Sequence, residues 1–379
     1  MKVKIIYIIK LILTATIFVA YSVNSATYTL VDIGTHPGGN NSSAFDVNNS
    51  RNVVGRSNDG SQTHAFIWNS SDGIQDIGTL GGYSILFSIN NSNQAVGYST
   101  NNQGADRAFV WDVTNGILDL GILNGGTFSQ ANSINDNGIV VGYADNSQTA
   151  TAFSWDATFG LQGIAIQGST ISNAFDINNN GHITGDFRNA NSNTHGFLLS
   201  NNTTQDLGIF NGGSFFQPHG INSTNQIVGH YFDSNSNGLA FKWDNSTGFQ
   251  DLGTLGDFSV ALDINDNNII VGYYVNSNSQ ERAFLWDNTN GMQDLCELVN
   301  CKTSGWTSLN KANGINDNGD IVGFGEINGE NHAFILTTNA DNSSNNSGSG
   351  SGGGSLYVPY LFILTIILLA LRSFRKEKI

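Results

Sequence analysis

The chain has 379 residues, of which 45 are glycine and only 12% are charged. Its formal charge of −15 argues against long-range attraction to nucleic-acid phosphates or anionic membranes, and leaves cations and neutral ligands such as glycans open as partners.

The first segment reads as an address. Lys2, Lys4 and Lys10 precede an apolar run over residues 11–20, and small residues follow at Val23-Asn24-Ser25-Ala26. A basic head, a short apolar stretch and a small-residue step make a secretory signal peptide over residues 1–25. An uncleaved anchor is the alternative, although the run is short for a membrane span.

Residues 26–338 form a repeat. Asp-Ile/Leu-Gly occurs at Asp32, Asp76, Asp119, Asp206 and Asp251, and degenerates at Gly163 and Asp294. Successive copies lie 43 to 45 residues apart. An apolar residue followed by asparagine recurs at Asn48, Asn90, Asn135, Asn178, Asn222, Asn265 and Asn316. A glycine follows at 55, 97, 142, 185, 229, 272 and 323, and an Ala-Phe element has its phenylalanine at 66, 109, 153, 197, 241, 284 and 334. Each motif is a short apolar run bounded by turn formers, which is a strand signature. Turns such as Asn135-Asp136-Asn137-Gly138 suit a type I turn leading into a left-handed residue. Four strands in about 40–45 residues is the period of a propeller blade. The expected fold is therefore all-β: a seven-bladed β-propeller of four-stranded antiparallel blades. The segment around Asp32 is a leftover outer strand and the segment around Phe334 ends one strand short, so the N-terminal strand is expected to complete the last blade.

Catalysis needs a group that breaks the repeat. The phenylalanines, Trp68 and its equivalents read as core between blades, and the asparagines as turn residues. Asp46, Asp176 and Asp263 either face the central channel or bind the local turn. The runs from Asp176 and Asp263 have the alternating oxygens of a calcium loop, but Phe187 and Tyr274 stand where a bidentate glutamate belongs. No metal set, nucleophile motif or nucleotide-binding motif is found, so neither cofactor nor catalytic residue is assigned. The asymmetric feature is the connection into the last blade, where the aspartate-to-asparagine spacing grows to 22. It holds Cys296, Cys301 and Trp306, and the close cysteine pair in an exported chain is expected to form a disulfide. Aromatics in the connecting loops (Tyr83, Phe128, Phe215, Phe216, Phe258 and Trp306) are the candidate ligand contacts, exposed on one ring face; capping the core is their other reading.

After the body come an Asn/Ser/Gly linker over residues 339–355 and an apolar stretch with a basic end over residues 356–379, expected to enter the membrane with its charges in the cytoplasm. Gly352-Gly353-Gly354-Ser355, the apolar stretch and Arg372, Arg375 and Lys376 together resemble a GlyGly-CTERM sorting tail. That resemblance implies a Gram-negative bacterium and cleavage near the glycines by a rhombosortase-like protease; a permanent anchor is the plain alternative. His64-Ala65-Phe66, His332-Ala333-Phe334 and Asp76-Ile77-Gly78-Thr79-Leu80-Gly81-Gly82 resemble the extracellular HAF repeat, with weaker copies at Arg107, Thr151 and Arg282. Two repeats depart from it: the fourth copy, at Gly163, has lost Asp-Ile/Leu-Gly, and in another His195-Gly196-Phe197 replaces His-Ala-Phe. The resemblance implies a secreted propeller-like protein and no reaction. The expectation is an exported, cell-surface binding or adhesion module without enzymatic activity, processed by signal peptidase, with a glycan or surface protein as ligand. The rivals are a secreted polysaccharide hydrolase or lyase, and a structural surface-layer component.

Overall fold

The computed structural model describes residues 28–338, apart from residues 148, 211 and 214. The signal segment, the linker and the apolar tail, with the processing site at Gly352, Gly353, Gly354 and Ser355, lie outside the described residues. Among the described residues no helix is long and apolar enough to cross a membrane.

The architecture is all-β and built from four-stranded antiparallel sheets. After β1 (Tyr28–Gly34), the first sheet comprises β2 (Ser42–Val47), β3 (Val53–Asn58), β4 (Thr63–Asn69) and β5 (Gly73–Asp76). The next comprise β6 (Gly81–Ile89), β7 (Ala95–Asn101), β8 (Asp106–Asp112) and β9 (Gly116–Gly121), then β10 (Ser129–Ile134), β11 (Val140–Asp145), β12 (Ala150–Asp156) and β13 (Gly160–Gly163). Two further sets are β14 (Ile171–Ile177), β15 (Ile183–Arg188), β16 (Thr194–Ser200) and β17 (Thr203–Gly208), and β18 (Phe215–Ile221), β19 (Ile227–Phe232), β20 (Gly238–Asp244) and β21 (Gly248–Gly253). A single parallel bridge, Thr194 to Phe215, joins these two. Then come β22 (Phe258–Ile264), β23 (Ile270–Val275), β24 (Glu281–Asp287) and β25 (Gly291–Asp294). The last sheet holds β26 (Trp306–Ile315), β27 (Ile321–Ile327) and β28 (Glu330–Thr338), and β1 pairs antiparallel with β28 as its fourth strand. Leu30 lies opposite Leu336 and Gly34 opposite Ala333.

The repeat motifs have distinct mechanical jobs. The recurring phenylalanines are fully buried, each packed between neighbouring sheets. Phe109 meets Val54 and Ala65 of the preceding sheet, and Phe66 of the first sheet meets Val322 and Ala333 of the last. The recurring glycine is required by close approach: a methyl at Gly55, Gly142 or Gly229 would collide with the carbonyl oxygen of Ser43, Gln130 or Gln217 on the strand before. The aspartate of Asp-Ile/Leu-Gly accepts a hydrogen bond from its own glycine, as Asp76 does from Gly78 N–H at 2.8 Å, and that glycine is left-handed at φ +83. Its carboxylate also pairs with the histidine of the HAF element: His64 with Asp76 at 2.7 Å, His195 with Asp206 at 3.0 Å, and His332 with Asp32 at 3.0 Å. The last pair spans the junction between the N-terminal strand and the end of the repeat.

The asparagines do more than turn the chain. Each Oδ1 accepts backbone N–H bonds from its own turn, as Asn135 does from Asn137 and Ile139. Each Nδ2 donates to the carbonyl of the corresponding asparagine in the next sheet. The path runs Asn48, Asn90, Asn135, Asn178, Asn222, Asn265, Asn316 and back to Asn48, with bonds of 2.9–3.3 Å. The turns follow the expected pattern, with Gly138 left-handed at φ 76 and even Arg51 at φ 64.

The glycine in His195-Gly196-Phe197 has a steric cause. Phe216 occupies the place that Ser84 and Ser129 hold in other sheets, where the serine Oγ accepts the Ala65 or Ala108 N–H. A methyl at Gly196 would run into the Phe216 ring, so glycine replaces the alanine there.

The long connection into the last sheet is not a bare loop. Asp294 caps a helical turn, α1 (Leu295–Leu298), by accepting the Glu297 N–H at 2.8 Å, and a 3₁₀ turn follows over Cys301–Ser304. This explains the degenerate Asp-Leu-Cys: its aspartate serves a helix instead of a left-handed glycine. Cys296 and Cys301 form a disulfide, with Cα atoms 4.9 Å apart. Replacing both by alanine should cost about 2 kcal/mol, because the closed loop is short. Hydrogen exchange should quicken over residues 295–306 and stay slow in the strands. Lost protection throughout would mean that the bridge holds the whole fold.

Candidate binding cavity in the central channel

The first strand of each sheet contacts the first strand of the next, and β26 contacts β2. Every one of these strands carries a β-bulge at the same place, between Ala44 and Asp46 in β2 and between Pro218 and Gly220 in β18. A bulge puts two consecutive residues toward one side. Phe45 and Asp46, Phe87 and Ser88, and Phe175 and Asp176 therefore all line one channel, as do His219, Leu262, Asp263 and Asn313.

The channel has three chambers. The end beside the asparagines holds about 180 Å³ and the middle about 140 Å³. The opposite mouth opens into a cavity of about 410 Å³, lined by Ser43, Phe45, Arg56, Gln217, His219, His230, Val260, Leu262, Tyr273, Lys311, Asn313 and Phe324.

The middle chamber is acidic. Asp46 accepts from Val47 N–H at 2.7 Å and from Ile89 N–H, in the next sheet, at 2.9 Å. Asp263 does the same with Ile264 at 2.7 Å and Ile315 at 2.8 Å, and Asp176 with Ile177 and Ile221 at 2.8 Å each. These carboxyls face the channel and tie neighbouring sheets together; their oxygens are taken up by backbone donors and, at Asp176, also by the Ser133 hydroxyl at 2.6 Å. Burial, reinforced by the charges of Asp46 and Asp176, pushes Asp263 up to about 8.

The mouth is built differently. The His219 and His230 rings are parallel within 5°, with centroids 5.3 Å apart and Nε2 to Nδ1 at 3.1 Å. With nitrogens that close and centroids that far apart, the rings meet edge to edge, nearly in one plane. One nitrogen donates and the other accepts, which requires the accepting imidazole to be neutral, and burial favours the neutral form of both. Burial, with some help from His230, lowers His219 to about 3, and burial lowers His230 to about 4. Lys311 Nζ stands 3.0 Å from Glu281 Oε1 and 4.0 Å from the Tyr273 ring centroid. The Arg56 guanidinium lies 5.9 Å from the Phe45 ring centroid. Gln217 is held by Asp186, which accepts its side-chain N–H at 3.0 Å and that of Asn173 at 2.8 Å.

These groups give opposite pH slopes. Asp263 is raised above its ordinary 3.8, so its contribution to stability is full below that value and is lost as pH climbs toward 8. The histidines are lowered from 6.5, so theirs is full above 6.5 and is lost as pH falls toward 4 and 3. Surface aspartates such as Asp59 and Asp244 are held low by turn hydrogen bonds and matter only in stronger acid. The thermal midpoint should therefore fall between pH 6.5 and 8, and Asp263→Asn should flatten that fall. Parallel curves for the variant and the parent would contradict the raised carboxyl.

The six aromatics singled out from the sequence divide. Phe215 and Phe258 flank His230, at 5.2 and 5.9 Å between ring centroids, and so stand beside the cavity. Tyr83 packs edge-on to Tyr98 at 5.5 Å and Phe128 against Tyr143 at 5.8 Å, each on its own sheet. Phe216 is fully buried against Phe241, and Trp306 is buried edge-on to Phe334. These two belong to the core: Phe216 fills the place that serine holds in other sheets, and Trp306 begins β26 directly after the helical turn and the disulfide. The sequence reading missed Arg56, His219, His230 and Tyr273. The signal for Arg56, His230 and Tyr273 was the residue after the repeat glycine, which runs Arg56, Tyr98, Tyr143, Asp186, His230, Tyr273 and Phe324. It changes from copy to copy while the glycine before it stays constant, as expected of a position facing a ligand.

Comparison with known proteins adds the following. A family described as "Protein of unknown function (DUF3466)" matches residues 247–346. No curated protein matches the sequence. Among solved structures, the chain resembles an oligogalacturonate lyase from Vibrio parahaemolyticus with a TM-score of 0.56 at 10% identity, covering 82% of this chain and 97% of that one. It also resembles virginiamycin B lyase from Staphylococcus aureus, with a TM-score of 0.52 at 9% identity, covering 82% and 99%. A third likeness is to an oligogalacturonate lyase in complex with manganese, with a TM-score of 0.51 at 9% identity, covering 76% and 86%. At such identities the likeness concerns the fold alone, which is β-propeller-like.

Proposed function

We propose that this chain is an exported, cell-surface protein of the HAF-repeat type whose body is a seven-bladed β-propeller closed by its N-terminal strand. In this reading it is a non-enzymatic binding module, with its ligand seated at the channel mouth. The asparagine path that returns from Asn316 to Asn48 and the core between the last and first sheets support the closed ring. The Cys296–Cys301 disulfide suits an oxidising compartment. Signal cleavage near residue 25 and tail cleavage near Gly352–Ser355 by a rhombosortase-like protease belong to the same reading. The intact mass of surface-released protein tests both, and retention of Arg372 in that material argues for a permanent anchor.

The observation that carries the binding reading is the cavity of about 410 Å³, where side chains peculiar to single repeats converge. Its size lies in the range of about 300–1,000 Å³ common for small-molecule sites. Screening the body on a glycan array should give discrete ligands whose binding is lost on Tyr273→Ala. Binding indifferent to that change would overturn the reading. A polysaccharide lyase is the second reading, favoured by the neutral histidine pair beside Arg56 and Lys311. Release of unsaturated product from polyuronate would replace the first reading with it.

A further inference from the structure

We infer that the mouth cavity selects an anionic sugar residue, whose oxyanion is held chiefly by Arg56 with help from Lys311. This rests on the cavity being the binding site, and it names the ligand class. The chain carries 30 acidic residues against 15 basic ones, yet no aspartate or glutamate lines this cavity. The contrast with the adjoining chamber, walled by Asp46, Asp176 and Asp263, is sharp. Two other arginines of the body are paired with carboxylates, Arg51 with Asp320 at 3.0 Å and Arg107 with Asp119 at 4.0 Å. Among the described residues, no carboxylate pairs with Arg56 within 4.0 Å. Arg56 is exposed to the mouth, and its planar fork suits the two oxygens of a carboxylate or sulfate ester.

Lys311 is a weaker contributor, because Glu281 already shares its charge. Its ammonium over the Tyr273 ring still fixes where the second positive centre lies. Phe45 and Tyr273 supply flat apolar walls for the less polar face of a sugar ring. The histidine pair is neutral at pH 7 and offers hydrogen-bonding edges without net charge. Cations at one side and aromatic faces around them define a ligand with one charged group on an otherwise neutral ring.

The test is calorimetry on the mature protein with digalacturonic acid, galactose 6-sulfate and neutral galactobiose. Acidic probes should bind at least about tenfold more tightly than galactobiose, the worth of one charge-assisted hydrogen bond. Arg56→Gln should erase that difference. Glu281→Gln should tighten the acidic probes several-fold by releasing Lys311, an effect that mere structural damage does not produce. Preference for digalacturonic acid or for the sulfate identifies the oxyanion as a carboxylate or an ester. Galactobiose binding as tightly as the acids, and losing that binding on Tyr273→Ala, would overturn the charge selection while leaving the cavity as the site. No binding that depends on Arg56 or Tyr273 would overturn both.

Discussion

Gly142→Ala should destabilise the body by about 3 kcal/mol, the upper end of what overpacking costs. An added methyl there meets the Gln130 carbonyl oxygen and the Ala131 Cα, both backbone atoms beside the bulge in β10, and neither can swing aside as a side chain would. Gly160 is the control. It sits at a turn with φ +68 and has nothing within 4 Å of the added carbon, so Gly160→Ala should cost only about 1 kcal/mol of left-handed strain. Urea midpoints at unchanged slope measure both. Equal costs would show that the glycine is not there for close approach.

Deleting β1 should have the largest effect. Leu30 packs in the core of the last sheet and Ile33 in the core between the last and first sheets. Removing the strand strips both contacts, frees His332 from Asp32 and leaves β28 as an unpaired edge. An exposed edge next to apolar surface recruits other chains. The truncated protein should form oligomers by light scattering and lose its cooperative thermal transition. A monomer melting at the parental temperature would mean that the strand is an accessory.

The fold was legible because each motif does one mechanical job in every copy. Repetition exposed the period, and the unmatched strand around Asp32 indicated where the last sheet is completed. The site was less legible for the same reason: attention to what repeats passes over what varies. His219 and His230 lie 11 apart, form no recognisable pair in the sequence, and meet only because a bulge turns His219 into the channel beside the neighbouring strand. Trp306 was misplaced because the spacing alone does not reveal that Asp294 caps a helical turn. For the aspartates at 46, 176 and 263 the sequence offered the channel or the local turn and both hold, but it did not show that their second oxygen bonds an N–H about 43 to 52 residues away.

In the proposed function the body is a ring closed by its first strand. Hydrogen exchange of the intact protein across a urea series reads it directly. Amides of β1 should exchange as slowly as those of β28 and should lose protection at the same urea concentration as the strands around Asn178. Free exchange of β1 in native buffer, with the remaining strands protected, would contradict the closure.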